Sequence, residues 1–193
     1  MSGLLALYDR LADLALRLAP SLLPLLARFV FAAVLLGYFW TSAFTKIGNG
    51  LLGIFHPSDG AYYQVFPRAF EAAGYDVGQL TAFHWAVVEA GMLAELFLPL
   101  LVVIGLFTRL AALGLIGFTL VQSLTDIYGH MVGGDDLGHW FDAASGSLIV
   151  DQRSFWVLLF ATLVALGAGP LSLDRWLARN RPPLEKLPIS QIS

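Results

Sequence analysis

Four stretches of the chain are almost wholly apolar, and most of its polar residues collect between them. A helix that crosses a bilayer needs about 20 predominantly apolar residues. The stretches run from about Leu25 to Lys46, Ala82 to Phe107, Leu110 to Asp126 and Phe155 to Gly169. Pro20 and Pro24 stand before the first and mark its expected start. The pattern predicts an all-α integral membrane protein, a bundle of four transmembrane helices.

Ahead of the first span, Leu4, Leu7, Leu11, Leu14 and Leu18 recur at helical spacing between Asp9, Arg10, Asp13 and Arg17. This predicts an amphipathic helix over residues 1–20, either lying in the membrane interface or packed on the bundle as a cytoplasmic helix. A signal peptide would have a long apolar core and a small-residue cleavage site, and neither is present. The expected organisation is therefore an interfacial helix (1–20), a membrane domain (21–178) and a cytoplasmic tail (179–193).

Basic residues are retained on the cytoplasmic side of a membrane protein. With both termini inside, Arg10, Arg17, Arg28, Arg109, Arg175, Arg179, Arg181 and Lys186 lie inside, against Lys46, Arg68 and Arg153 outside. The asymmetry predicts an N-in, C-in topology. Spans two and three then meet in a tight cytoplasmic turn around Thr108–Arg109. The outer loops are longer, at residues 48–81 and 127–153. The aromatics of the first (Phe55, Tyr62, Tyr63, Phe66, Phe70, Tyr75) suit lipid headgroups. A short surface helix is expected at about Tyr62–Ala73.

Composition agrees with the pattern. The chain is 58% hydrophobic and 13% charged, against about 25% charged in ordinary soluble domains. A net charge of −3 argues against a nucleic-acid partner. With no cysteine, disulfides, thiolate metal sites and dithiol chemistry are excluded within the chain.

An ionisable residue inside a span is costly and is a functional-site candidate by default. On span two, His84, Gly91 and Glu95 fall within about 20° of one line, while Glu89 points some 140° away. Gly91 is expected to let another helix approach closely. On span three, Thr119, Gln122, Ser123, Asp126 and His130 form a stripe at its outer end, and Thr41, Ser42, Thr45 and Lys46 end span one. Glu95, His84, Lys46, Asp126, His130 and Gln122 are therefore candidates for ligand binding or proton relay in one polar cavity. Buried pairs of this kind also fasten helices with no further role.

The last outer loop places His130, Asp135, Asp136 and His139 among glycines. These residue types bind Zn²⁺ or Cu²⁺, although the spacing matches no defined metal motif and acidic glycine-rich loops are ordinary turns. No nucleophile elbow, P-loop or dinucleotide fingerprint is present. Ser172 reads as the N-cap of a short helix Leu173–Asn180, with Asp174 in its first turn.

Several of these segments resemble the DoxX family of small four-helix bacterial membrane proteins. Arg28 to Lys46 with Gly37 between is similar to the family's first helix, and Glu95 followed by Gly105-Leu106-Phe107-Thr108-Arg109-Leu110-Ala111-Ala112-Leu113 to its second helix and turn. The stretch from Asp126 to His130 falls where the family often has a histidine. Gly167-Ala168-Gly169-Pro170-Leu171-Ser172-Leu173-Asp174 resembles its closing motif, with Pro170 replacing a more usual bulky or basic residue. The resemblance covers about residues 25–178. The amphipathic N-terminus and the aromatic first outer loop depart from it.

The resemblance implies a multi-pass protein of the bacterial inner membrane and a redox-linked role, since relatives are described as membrane subunits of quinone-linked oxidoreductases, including thiosulfate oxidation. The expected function is an accessory or anchor subunit, in contact with lipid and a protein partner, with a quinone as the implied ligand. No catalytic residue is assigned. A small transporter or metal-handling protein, and a purely structural interaction protein, are the alternatives the residues leave open.

Overall fold

The computed structural model describes residues 2–179. Eight α-helices follow one another: α1 (Ser2–Val34), α2 (Leu36–Lys46), α3 (Asp59–Val65), α4 (Pro67–Ala72), α5 (Ala82–Ile104), α6 (Thr108–Leu124), α7 (Arg153–Leu166) and α8 (Leu173–Arg179). Among the described residues there is no strand. Four helical segments are long and apolar enough to cross a membrane: Gly3–Val34, Ala82–Ile104, Thr108–Gly129 and Leu148–Leu166. The protein is an all-helical, multi-pass membrane protein.

The N-terminal pattern resolves differently from expectation. Pro20 and Pro24 do not begin a helix; they lie inside α1, which runs unbroken for 33 residues. Each proline removes one backbone donor, but the helix on either side carries it through. The interruption comes at Leu35 instead, between α1 and α2. Leu4, Leu7, Leu11, Leu14 and Leu18 remain exposed along the first half of α1. The expected tail from residue 180 onward, with Asn180, Arg181 and Lys186, lies outside the described residues.

The core sits where α1, α2, α5, α6 and α7 meet. Phe31, Phe39 and Phe160 are fully buried there beside Leu115 and Leu163. Their rings pack edge-on or tilted, Phe31 against Phe160 at 5.7 Å between centroids. Such offset packing suits the aromatic quadrupole.

The loops at residues 48–81 and 127–153 are both more structured than expected. The surface helix predicted for Tyr62–Ala73 is two helices, α3 and α4, broken at Phe66 (φ −129°, ψ 57°). Pro67 follows, and a residue before proline is pushed out of the α region. Tyr62 and Phe70 face inward with Ala61 and Val88 in a small second core, whereas Phe55, Tyr63 and Tyr75 are exposed. Spans three and four are longer than their apolar runs. A π turn, Thr125–Gly129, extends α6, and another, Leu148–Gln152, leads into α7.

Candidate functional site

At the end of the bundle that carries the long loops, α2, α3, α5 and α6 enclose a cavity of about 690 Å³. One wall is α5, whose Ala86, Ala90, Gly91 and Ala94 present small side chains; the facing wall is α6, with Gly114, Gly117, Phe118 and Val121. The α5–α6 hairpin is closed where Leu98 covers Gly114, leaving only 2.9 Å for an added Cβ. One turn on, Gly117 has nothing within 4 Å of that position, and neither has Gly91. Gly91 therefore opens space rather than admitting a close helix. Phe83 and Val121 also line the cavity, yet they are 65% and 58% exposed. Both belong to spans, so the mouth lies on the flank the bundle turns to lipid.

Polar groups gather at one end. Lys46 Nζ lies 3.1 and 2.8 Å from the two carboxylate oxygens of Glu95, and donates to Ser42 Oγ at 2.6 Å. Ser42 in turn donates to Glu95 Oε1 at 3.0 Å. Glu95 is 2% exposed and Lys46 5%. A buried charge of either sign is tolerable only when paired and hydrogen-bonded, and here each supplies the other. Pro99 on the same helix has no N–H for the Glu95 carbonyl four residues back. Next to it, the Trp40 indole donates to the Leu96 carbonyl at 3.1 Å.

Asp126 also lines the cavity, and its carboxylate takes a 2.5 Å bond from Arg153. The same guanidinium donates to Ser123 Oγ at 3.0 Å and stands 6.0 Å over the Trp156 ring. Arg153 is 3% exposed. It is not the outer-loop residue that the charge count assumed, because the π turn draws it into the start of α7. Gln122 Nε2 donates to Tyr38 Oη at 2.6 Å, while its Oε1 is buried with no partner in the protein. His130 Nε2 meets the Gln64 carbonyl at 3.0 Å, which fastens α3 over the cavity.

Of the six candidates, Glu95, Lys46, Asp126, His130 and Gln122 line this one cavity. His84 does not. Its Nδ1 accepts from the Thr81 backbone N–H at 3.2 Å and lies 2.9 Å from the Thr81 hydroxyl, a capping box at the start of α5. It faces instead a shallow surface hollow with Asp76 and Gln79. Helical phase alone aligned His84 with Glu95, but a first-turn side chain is free to cap its own helix. Glu89 is buried at 7% exposure with neither oxygen partnered, away from the cavity. Burial pushes the neighbouring Tyr62 hydroxyl above its ordinary pKa, and the charges of Glu89 and Asp59 push the same way.

The loop residues His130, Asp135, Asp136 and His139 do not converge: among the described residues, no three His, Asp or Glu side chains are gathered to hold a metal. Tyr38 and Arg153 are the site residues that sequence reasoning passed over. Tyr38, Ser42 and Lys46 stand at i, i+4 and i+8, and that spacing places all three on one face. Arg153 carried a weaker signal, as the sole basic residue in the last outer loop.

The opposite end of the bundle holds the turns at Gly105–Thr108 and Gly167–Asp174 that carry the family resemblance. Arg28 donates to the carbonyls of Val102 (3.0 Å), Val103 (2.6 Å), Ala168 (2.9 Å) and Leu171 (2.5 Å). Arg109 donates to Val164 and Ala165, at the last turn of α7. Asp174 accepts from the N–H groups of Phe107 (2.7 Å) and Thr108 (2.9 Å), capping α6 from another helix. Gly105 (φ +71°) makes the turn, and a Cβ on it would lie 2.6 Å from that of Ser172. Ser172 Oγ accepts from Arg175 N at 3.2 Å, the N-cap of α8.

Residues 23–125 match DoxX. The chain belongs to the DoxX family. The matched region runs from within α1 through α6, and so includes three of the five cavity-lining candidates, Glu95, Lys46 and Gln122, with Asp126 and His130 lying beyond it. No curated protein and no solved structure matches this DoxX-family chain.

Proposed function

We propose that this DoxX-family protein is a membrane-embedded accessory subunit of a redox complex and holds a quinone in the cavity between α5 and α6. The observation that carries the reading is the cavity itself. Its volume, about 690 Å³, falls among ordinary small-ligand sites of roughly 300–1,000 Å³. Its walls are small and apolar, and its mouth is on the lipid flank, which suits a ligand that arrives through the bilayer. A quinone needs an apolar slot and hydrogen-bond partners for its oxygens; when bound it carries electrons and protons between partners. Tyr38 and Gln122 line the cavity and could hold such a head, and Lys46 and Glu95 line it as well.

The family resemblance supports a place in a quinone-linked oxidoreductase of the bacterial inner membrane, with the arginine-bearing end cytoplasmic. An ion pathway is less well supported, because Lys46 already occupies both oxygens of Glu95.

The test is gentle purification followed by extraction and identification of bound quinone. Stoichiometric quinone is expected, and it should be lost from the Gly91→Leu, Gly117→Leu double variant, which fills space where added Cβ atoms meet nothing within 4 Å. A folded wild-type protein without quinone, or a filled variant that retains it, overturns the proposal.

A further inference from the structure

The first helix outruns the bundle. α5 alone is 23 residues long, about 34 Å of helix, which is enough to cross a hydrocarbon core of about 30 Å. Arg28 bonds the Val102 and Val103 carbonyls in the last turn of α5, so it sits level with that end of the bundle. Pro24 is fully buried beside Gly169, but ahead of it no side chain from Gly3 to Leu23 is buried. The helix nevertheless continues to Ser2. Residues 3–20 form an arm about 25 Å long, with no face buried against the rest of the chain.

Leu4, Leu7, Leu11, Leu14 and Leu18 alternate by three and four along this arm, the a and d positions of a heptad. All five are between 49% and 78% exposed. At 100° per residue they fall within an arc of about 80°. Asp9, Asp13, Arg17 and Arg10 occupy an arc of about 100° on the far side, and Leu5 and Leu16 lie outside the seam next to Asp9. A narrow stripe at a and d is the seam of a coiled coil.

Lipid is a poor cover for this seam. A helix lying in a membrane interface leaves the axis of its span, and a basic polar face draws it to anionic lipid. Here α1 is continuous with the span, and the two Asp and two Arg of the arm cancel. A second copy in the same membrane presents the same five leucines, on the same side and running in the same direction. In that parallel arrangement the g positions (Gly3, Arg10, Arg17) face the e positions of the other copy (Tyr8, Ala15, Leu22), so no like charges meet across the seam. Five leucines from each copy supply on the order of 1,000 Å², the size at which a contact becomes specific. Anchoring in one membrane also raises the effective concentration of each arm at the other.

We propose that residues 3–20 are a self-association arm, through which two copies of this chain pair as a parallel coiled coil beyond the arginine-bearing end of the bundle. Leu4, Leu7, Leu11, Leu14 and Leu18 form the contact. The seam lies on the twofold axis, so each leucine meets its own counterpart. The cavity stands at the other end of the bundle, and pairing and ligand binding are separate properties.

The chain has no cysteine, so single cysteines report contacts cleanly. In native membranes under mild oxidation, Leu7→Cys, Leu11→Cys and Leu14→Cys should link into dimers. Ala6→Cys and Asp13→Cys, on the far face of the arm, should stay unlinked. Light scattering of the purified full-length protein in detergent should give a dimer. The Leu11→Glu, Leu14→Glu double variant should give a monomer that melts at the wild-type temperature of the bundle, since the arm is not buried on it.

Linking confined to the seam supports the pair even where detergent separates it. Absence of linking at every seam position overturns the proposal, as does linking at Ala6→Cys and Asp13→Cys as fast as at the seam. A linked product that joins this chain to a different protein overturns it in favour of a foreign partner. A nitroxide on Leu11→Cys that meets dissolved oxygen more readily than a water-soluble nickel chelate puts the arm in lipid, and sinks the proposal as well.

Discussion

The two ends of the bundle use charged side chains in opposite ways. At the arginine-bearing end, Arg28, Arg109 and Asp174 all bond to backbone: carbonyls at the C-terminal ends of α5 and α7, and N–H groups at the start of α6. Helix ends leave such groups without intrahelical partners, and in a membrane protein few waters are at hand to satisfy them. At the cavity end, Lys46 bonds Glu95 and Arg153 bonds Asp126, side chain to side chain between helices. The first arrangement ties chain turns together and leaves no room. The second spans a gap. Charges that cap helix ends make a fold, whereas charges that pair across separated helices permit a cavity between them.

Breaking one member of the buried pair should be the largest single effect. Lys46→Met leaves Glu95 buried without its cation and should destabilise by about 3–5 kcal/mol, while Lys46→Met with Glu95→Gln should recover most of that loss. Thermal unfolding in detergent gives the cycle; equal losses in the single and double variants would mean the ion pair is not the unit the geometry suggests.

Arg28→Met should come next, at roughly 3 kcal/mol, because four carbonyls lose a charged donor together. Here the contrast sharpens. Ligand bound by the remaining folded protein should keep its affinity, since Arg28 does not line the cavity. An affinity loss as large as the stability loss would erase the distinction between the two ends.

Asp174→Ala removes a cap supplied from a distant helix and should cost about 1–2 kcal/mol, in the range of other N-caps. Asp174→Asn should cost less, since an amide oxygen still accepts one of the two bonds. Proteolysis of the turn at Gly105–Phe107 should quicken in the same order, and an unchanged rate in Asp174→Ala would show that α8 does not hold the hairpin.

The smallest effect is expected at Gly91. Alanine is favoured over glycine within a helix by about 1 kcal/mol, and the added methyl meets nothing within 4 Å. Gly91→Ala should therefore be neutral or slightly stabilising. A marked loss of stability would mean that the cavity wall is closed by a neighbouring helix after all.

Much of this was legible in the residues because it depends on local spacing. Spans two to four follow from runs of apolar residues, and the stripe from Gln122 to His130 from helical phase. Ser172 capped its helix as its position suggested. What escaped depends on which partner a side chain finds. Arg153 counted as a loop cation, but a π turn brings it to Asp126, a residue 27 positions earlier. His84 had the right phase to join Glu95 and capped Thr81 instead. Tyr38 looked like another aromatic in an apolar run until Gln122 was found 2.6 Å from it.

The sequence by itself determined that the chain is helical, that it crosses a membrane several times and that it belongs with the DoxX proteins, because hydropathy and turn residues act over neighbouring positions. Only the tertiary structure decided that α1 continues through Pro20 and Pro24, that Asp174 caps α6 rather than serving its own helix alone, and that small residues on α5 and α6 stand apart to leave a cavity. Those outcomes turn on contacts between helices far apart in the chain, where each buried polar group takes whichever partner the packing brings within reach.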